Sequence, residues 1–141
     1  MATFEAQLDA WTKKTQERIL AVYKGAAQEF VSRAQARIPV DTGFARASIR
    51  GSLSSMPQID PALKGDPDRK YSFDLSPIVL LINSAKPGQT IYIGWTANYV
   101  QHLEWGHSSQ APNGFIGITA LEWPQIVAAE IEKAKNSVAS R

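Results

Sequence analysis

The feature that most constrains this chain is its opening run. From Phe4 to Ile38, apolar positions return at steps of three and four: Phe4, Leu8, Trp11, Thr15, Ile19, Val22, Ala26, Phe30, then Arg33 or Ala34. That period is the signature of an amphipathic α-helix. Thr3 stands where an N-cap is needed. Pro39 stops the helix and biases Ile38 toward extended geometry. Gly25 costs about 1 kcal/mol inside it. With Ala26 and Ala27 it makes a flat spot, where another backbone is expected to pack.

The segments that follow are shorter. Pro39-Val40-Asp41-Thr42-Gly43 reads as a turn, with Asp41 or Thr42 capping its own backbone and Gly43 free to take positive φ. Phe44 to Leu53 is a short helical turn or an extended run leading into a strand. Ser54 to Ser76 carries three prolines, Gly65 and mixed charges, and reads as one long loop. Tyr71, Phe73 and Leu75 alternate at its far end, as a strand would. Pro77 to Asn83 reads as a buried strand, paired in an antiparallel hairpin with Thr90 to Trp95. A short helix is expected over Tyr99 to Trp105, ended by Gly106, with a loop over His107 to Gly117. The last helix is expected to start near Thr119, with Thr119 and Glu122 as a capping box. Its stripe is Ala120, Trp123, Val127, Ile131, Ala134 and Val138. Pro124 predicts a kink, or a start just before it. The order predicts one α+β domain over residues 1–141: long N-terminal and C-terminal helices packed on a small antiparallel sheet, with one long loop.

Composition narrows function. The chain has 141 residues, 44% hydrophobic and 20% charged, as expected for one globular core. A net charge of +2 gives no strong pull toward nucleic acid. The chain has no cysteine, hence no disulfide, thiolate metal site or cysteine nucleophile. The opening residues are too polar for a secretory signal, and no apolar run nears the roughly 20 residues of a membrane span.

No catalytic set stands out. His102 and His107 flank Glu104 at a spacing of five rather than the four of a zinc helix. There is no G-x-S-x-G and no phosphate loop. Asp41 and Glu104 are a conceivable acid pair that nothing ties together. The basic pairs Lys14 and Arg18, Arg33 and Arg37, then Arg46 and Arg50, read as a solvated face paired with Glu17 and Glu29, in preference to a lining for DNA phosphates. Glu104 is expected in the last turn of a helix, where the dipole disfavours it, so it needs a specific partner. Arg46 or Arg50 is the expected one. Trp11, Trp95, Trp105 and Trp123 are expected in the core, with Trp105 also a candidate intersubunit contact.

Three patterns occur in order: Val40-Asp41-Thr42-Gly43 followed by Arg46, Ser48 and Ile49; Tyr99 leading to Glu104 and Gly106; and Gly114-Phe115-Ile116 before the last helix. Over about residues 20–138 this resembles the tail-completion, or head–tail joining, proteins of long-tailed phages. Here Phe44-Ala45-Arg46 stands where that family often has G-x-L-R, and Asn113-Gly114 separate Pro112 from Phe115.

The resemblance implies a virion structural protein, assembled in the host cytoplasm, without enzymatic activity, cofactor, metal or membrane. It implies a homo-oligomeric ring, a hexamer, between a head-closure protein and the tail tube or tail terminator. Genomic DNA would cross the lumen without sequence-specific binding. Residues 54–76 would be a flexible interaction loop, with Lys64, Arg69, Lys70, Tyr71 and Trp105 as candidate interface residues. The neighbouring station is a tail terminator or minor tail protein. From other classes come a small nucleic-acid-binding protein using the basic first helix, and a metal-dependent enzyme.

Overall fold

The computed structural model describes residues 3–106, 109–111 and 113–139. Helix α1 spans Phe4–Arg37. Thr3 caps it, its Oγ1 accepting the Ala6 N–H at 3.1 Å. Ile38 leaves in extended geometry, as the following proline requires. At 1.5 Å per residue the helix is about 50 Å long, and only its second half is clothed. Ala26, Ala27, Val31, Ala34 and Gln35 are buried, whereas Phe4, Leu8, Trp11 and Ile19 lie open to solvent.

The C-terminal helix α6, Trp123–Ala139, runs antiparallel to α1. Trp123 meets Phe30 edge-on at 6.3 Å, Glu130 meets Gly25, and Ile131 and Ala134 flank Ile19 and Val22. The flat spot at Gly25 therefore receives a side chain rather than a backbone: the Glu130 carboxylate lies where a Cβ would sit. Ile126, absent from the expected stripe, is the residue of α6 buried most deeply among those described, and the Val138 side chain lies outside the description. Pro124 takes the second helical position, so it marks a start and not a kink.

The expected capping box does not form. Thr119 lies inside the short helix α5, Ile116–Ala120, where its hydroxyl donates to the Phe115 carbonyl at 2.6 Å. Glu122 is drawn away to Arg37 and Arg33.

Phe44 to Leu53 combines both readings: a helical turn α2, Phe44–Ala47, then strand β1, Ile49–Ser52. The sheet is two-stranded and antiparallel, but the expected hairpin is wrong. Strand β2, Tyr92–Trp95, pairs with β1, in a register from Ile49↔Trp95 to Ser52↔Tyr92. The run Pro77 to Asn83 belongs to helix α3, Ser76–Ser84. Asp74 accepts the Ser76 N–H at 2.9 Å, and Pro77 suits the first turn. Ile78 and Ile82, four apart, turn to the core, while Leu80 between them is exposed. Gly51 lets α3 lie on the sheet: a Cβ there would strike Leu81. Tyr71, Phe73 and Leu75 alternate between half-buried and exposed neighbours but join no strand.

The core gathers Ala34, Ile38, Ile49, Ile82, Trp95, Val100 and Phe115. Trp95 meets Phe115 edge-on at 5.1 Å. Its indole N–H donates to Gln35 Oε1 at 2.8 Å, and Gln35 Nε2 donates to the Arg46 carbonyl at 3.0 Å. The buried amide thus has a partner at each end. Trp123 is half-buried, but Trp11 and Trp105 are both 65% exposed, against the expectation of core. Among the described residues, no helix is long and apolar enough to cross a membrane.

Candidate interaction surface

The turn before α2 is a clasp. Val40 exchanges two hydrogen bonds with the Gln110 side chain: its N–H donates to Oε1 at 2.9 Å, and its carbonyl accepts from Nε2 at 3.1 Å. Thr42 offers its carbonyl to the Tyr71 N–H at 2.7 Å. Gly43 has φ of 86°, and a Cβ there would fall on the Tyr71 carbonyl. Glycine is needed for both the left-handed backbone and the close approach. The Phe44 ring packs edge-on to Tyr71 at 5.1 Å, lies 6.5 Å from Tyr99, and presses on Gly65. Arg46 lays its guanidinium over Phe73 at 4.6 Å. Burial pushes the Tyr99 phenol pKa up, with a hydrogen bond to the Ala45 backbone opposing and the exposed Asp41 adding to the rise.

The near end of the 54–76 segment is fastened separately. Ser48 is buried, donates to the Ala45 carbonyl at 2.6 Å, and accepts from the Thr96 hydroxyl at its own carbonyl at 2.9 Å. Thr96 in turn accepts the Asp60 N–H at 3.0 Å, and Leu63 accepts the Asn98 N–H at 2.9 Å. The long loop is therefore tied at Asp60, Leu63, Gly65, Tyr71 and Phe73. Tyr71 is an anchor here, its hydroxyl also accepting the Asp66 N–H at 3.0 Å. Lys64, Arg69 and Lys70 are exposed on the same loop, Arg69 above the Tyr71 ring at 5.2 Å.

Glu104 does not pair with Arg46 or Arg50. It ends helix α4, Val100–Glu104, and its carboxylate accepts the N–H groups of Phe115 at 3.0 Å, Ile116 at 3.0 Å and Gly117 at 3.1 Å. The donors are the otherwise orphaned amides that open α5, where a negative charge is favoured. Gly114, at φ 80°, leaves room for the carboxylate, and Gly106 closes α4 at φ 81°. Arg50 instead donates to the Ile49 carbonyl at 2.7 Å. The missing Cβ of Gly114 is what admits the carboxylate, whereas a Cβ at Gly117 would only touch it at 4.0 Å. Trp105 follows, projecting beside a depression of about 370 Å³ lined by Met56, Pro57, Ile59, Gln101 and Glu104. His102 touches the Trp105 ring edge at 5.9 Å, while His107 lies outside the described residues.

The sequence motifs thus form two clusters. Thr42, Gly43 and Arg46 contact the loop directly and Ser48 reaches it through Thr96, while Val40 holds Gln110 and Glu104 organises residues 115–117. The basic pair Arg33 and Arg37 is committed internally: Arg33 bonds Glu29 at 2.9 Å, and both reach Glu122. The Arg37 hydrogen bond holds the Glu122 carboxyl below its ordinary pKa and raises that of Arg37.

The family model described as "Bacteriophage HK97-gp10, putative tail-component" matches residues 2–106. The chain belongs to the HK97-gp10-like family. No curated protein and no solved structure matches the chain. The HK97-gp10-like span takes in α1, the clasp, the sheet, the long loop and α4. It begins earlier than the resemblance over 20–138 and ends earlier, leaving Gly114-Phe115-Ile116 and α6 outside. The description of that family as tail components is consistent with a structural role in a phage tail.

Proposed function

We propose that this tail component is a subunit of the ring that joins the DNA-filled head to the tail, acting by surface complementarity and not by catalysis. The observation that carries the reading is the use made of the motif residues. Several hold a segment in place: Thr42, Gly43 and Arg46 the 54–76 loop, Val40 and Glu104 the stretch after Gly106. That leaves Lys64, Arg69 and Lys70 presented to partners along one loop and Trp105 beside a second exposed region. A ring subunit needs two different patches that match across each contact. On this reading the loop reaches a neighbouring subunit, the head-closure protein or the tail tube, and DNA passes the lumen without base recognition. The nucleic-acid-binding alternative loses support because Arg33 and Arg37 are occupied by Glu29 and Glu122.

Negative-stain microscopy of lysates from phage lacking the gene tests this. Full heads beside separate tails of normal length are expected. Tails of irregular length would move the protein to the terminator station, and intact virions would remove it from the joint altogether. Deleting part of the loop between Lys64 and Lys70 should abolish joining while the domain still folds.

A further inference from the structure

The exposed end of α1 is the least expected surface on the molecule. Phe4, Leu8 and Trp11 are 77, 49 and 65% exposed, and Ile19 lies on the same face at 65%. With aromatic side chains contributing about 150–250 Å² each, the four leave on the order of 500 Å² of apolar area in water. That is toward the upper end of the largest patch an ordinary monomer exposes, which is often functional. Just beyond it, between α1 and α6, runs an almost wholly apolar groove of about 580 Å³, lined by Ile19, Val22, Val127, Ile131 and Ala134.

The patch cannot fill its own groove. Both sit on one continuous helix, and Phe4 is about 22 Å along the axis from Ile19. A helix of this kind does not fold back on itself. The charges match between molecules instead. Glu5 and Asp9 flank Leu8, while Arg18 and Lys135 stand at the groove. The exposed pair that Lys135 makes with Glu132, at 3.4 Å, is a solvent-screened contact that is easily exchanged. Phe4, Leu8 and Trp11 present one apolar helix face, and the groove between α1 and α6 presents an apolar surface to receive it.

We infer that the first turns of α1 from one copy, carrying Phe4, Leu8 and Trp11, seat in the α1–α6 groove of a second copy. The contact depends on the ring reading only in that a ring requires copies to meet. It assigns the joint to α1 and α6, away from the long loop.

The cysteine-free chain permits a direct test. Full-length protein carrying Leu8→Cys is mixed with protein carrying Ile131→Cys and oxidised. A cross-linked dimer of the two variants is expected well above the yield from Leu8→Cys mixed with Lys13→Cys, which lies on the opposite face of α1. Equal yields would overturn the contact. In parallel, sedimentation of Trp11→Glu should show self-association weakened by about tenfold or more, with an unchanged circular dichroism spectrum because the side chain is exposed. Unchanged association of Trp11→Glu, or a wild-type protein that stays monomeric at high concentration, would also overturn it. Neither result touches the head–tail joining assay. A joining defect for a protein that does not self-associate would keep its place at the head–tail joint and remove this interface.

Discussion

The two ends of α1 treat the same kind of side chain in opposite ways. Around Ala34 and Ile38 the helix is enclosed by the clasp, the sheet and α5, and nearly every polar group has an internal partner. Around Leu8 and Trp11 it carries apolar groups as large or larger, exposed among the described residues. Amphipathic periodicity is continuous across both. Burial energy within the domain comes from one end only, and the other end is available for association. A side chain's contribution to folding should therefore fall steeply along one helix and its neighbours, while its contribution to assembly rises.

The largest expected contrast pits Phe115 against Trp11. Phe115 is fully buried against Trp95, so Phe115→Ala should cost about 3–5 kcal/mol of stability. Trp11→Ala should stay within about 0.5 kcal/mol, as surface changes do. Urea denaturation of dilute protein measures both, and comparable losses would mean that the open end is covered in the monomer.

Next comes Glu104. Its carboxylate serves three backbone amides, so Glu104→Ala should cost about 2–3 kcal/mol. Glu104→Gln should cost less, because one amide oxygen still accepts. In an Arg46→Ala background the Glu104→Ala loss should be the same within about 0.5 kcal/mol. A larger coupling would reinstate the arginine partner. Gly43→Ala follows at about 1–2 kcal/mol from the left-handed backbone alone. Because a Cβ there meets the Tyr71 carbonyl, the same change should speed proteolysis within residues 64–73. Unaltered cleavage would mean that the clasp does not hold the loop.

How much of this was legible in the residues varies by the physics involved. The bounds of α1 were readable because Thr3 and Pro39 act locally through capping and sterics. So were the positive φ of Gly43 and the end of α4 at Gly106. The Pro77–Asn83 run was not, since uninterrupted apolar residues carry no period, and what decides helix over strand is Asp74 and Pro77 at its start. The Glu104 contact was hidden for another reason: its partners are backbone amides, which any residue supplies. The burial of Trp11 was misread because periodicity reports that a face is apolar and not what covers it. The motif residues at Val40–Gly43 were visible as a turn, but their tie to Tyr71 and Gln110 spans chain separations that no local pattern encodes.

The smallest effect concerns the junction between the two regions, where Glu122 receives Arg37 and Arg33 from α1 just before α6 begins. Its carboxyl is held below the ordinary range, mainly by the Arg37 hydrogen bond. A carboxyl whose folded pKa is depressed binds fewer protons folded than unfolded over that interval, so folding is favoured while it stays ionised. The contribution is complete above the unfolded value of about 4.3 and disappears as pH falls through the lower folded value. Both side chains are partly exposed, so solvent screening keeps the effect small. Glu122→Gln should therefore leave stability near that of the parent below the folded pKa and reduce it modestly at neutral pH, flattening the acid limb of a stability-against-pH curve. The same substitution should not alter self-association through Leu8 and Trp11, which lie far along α1 from Arg37. An acid limb as steep as the parent's would assign the pH dependence to other carboxylates, and a parallel loss of association would show that the clasped and open ends of the helix are coupled.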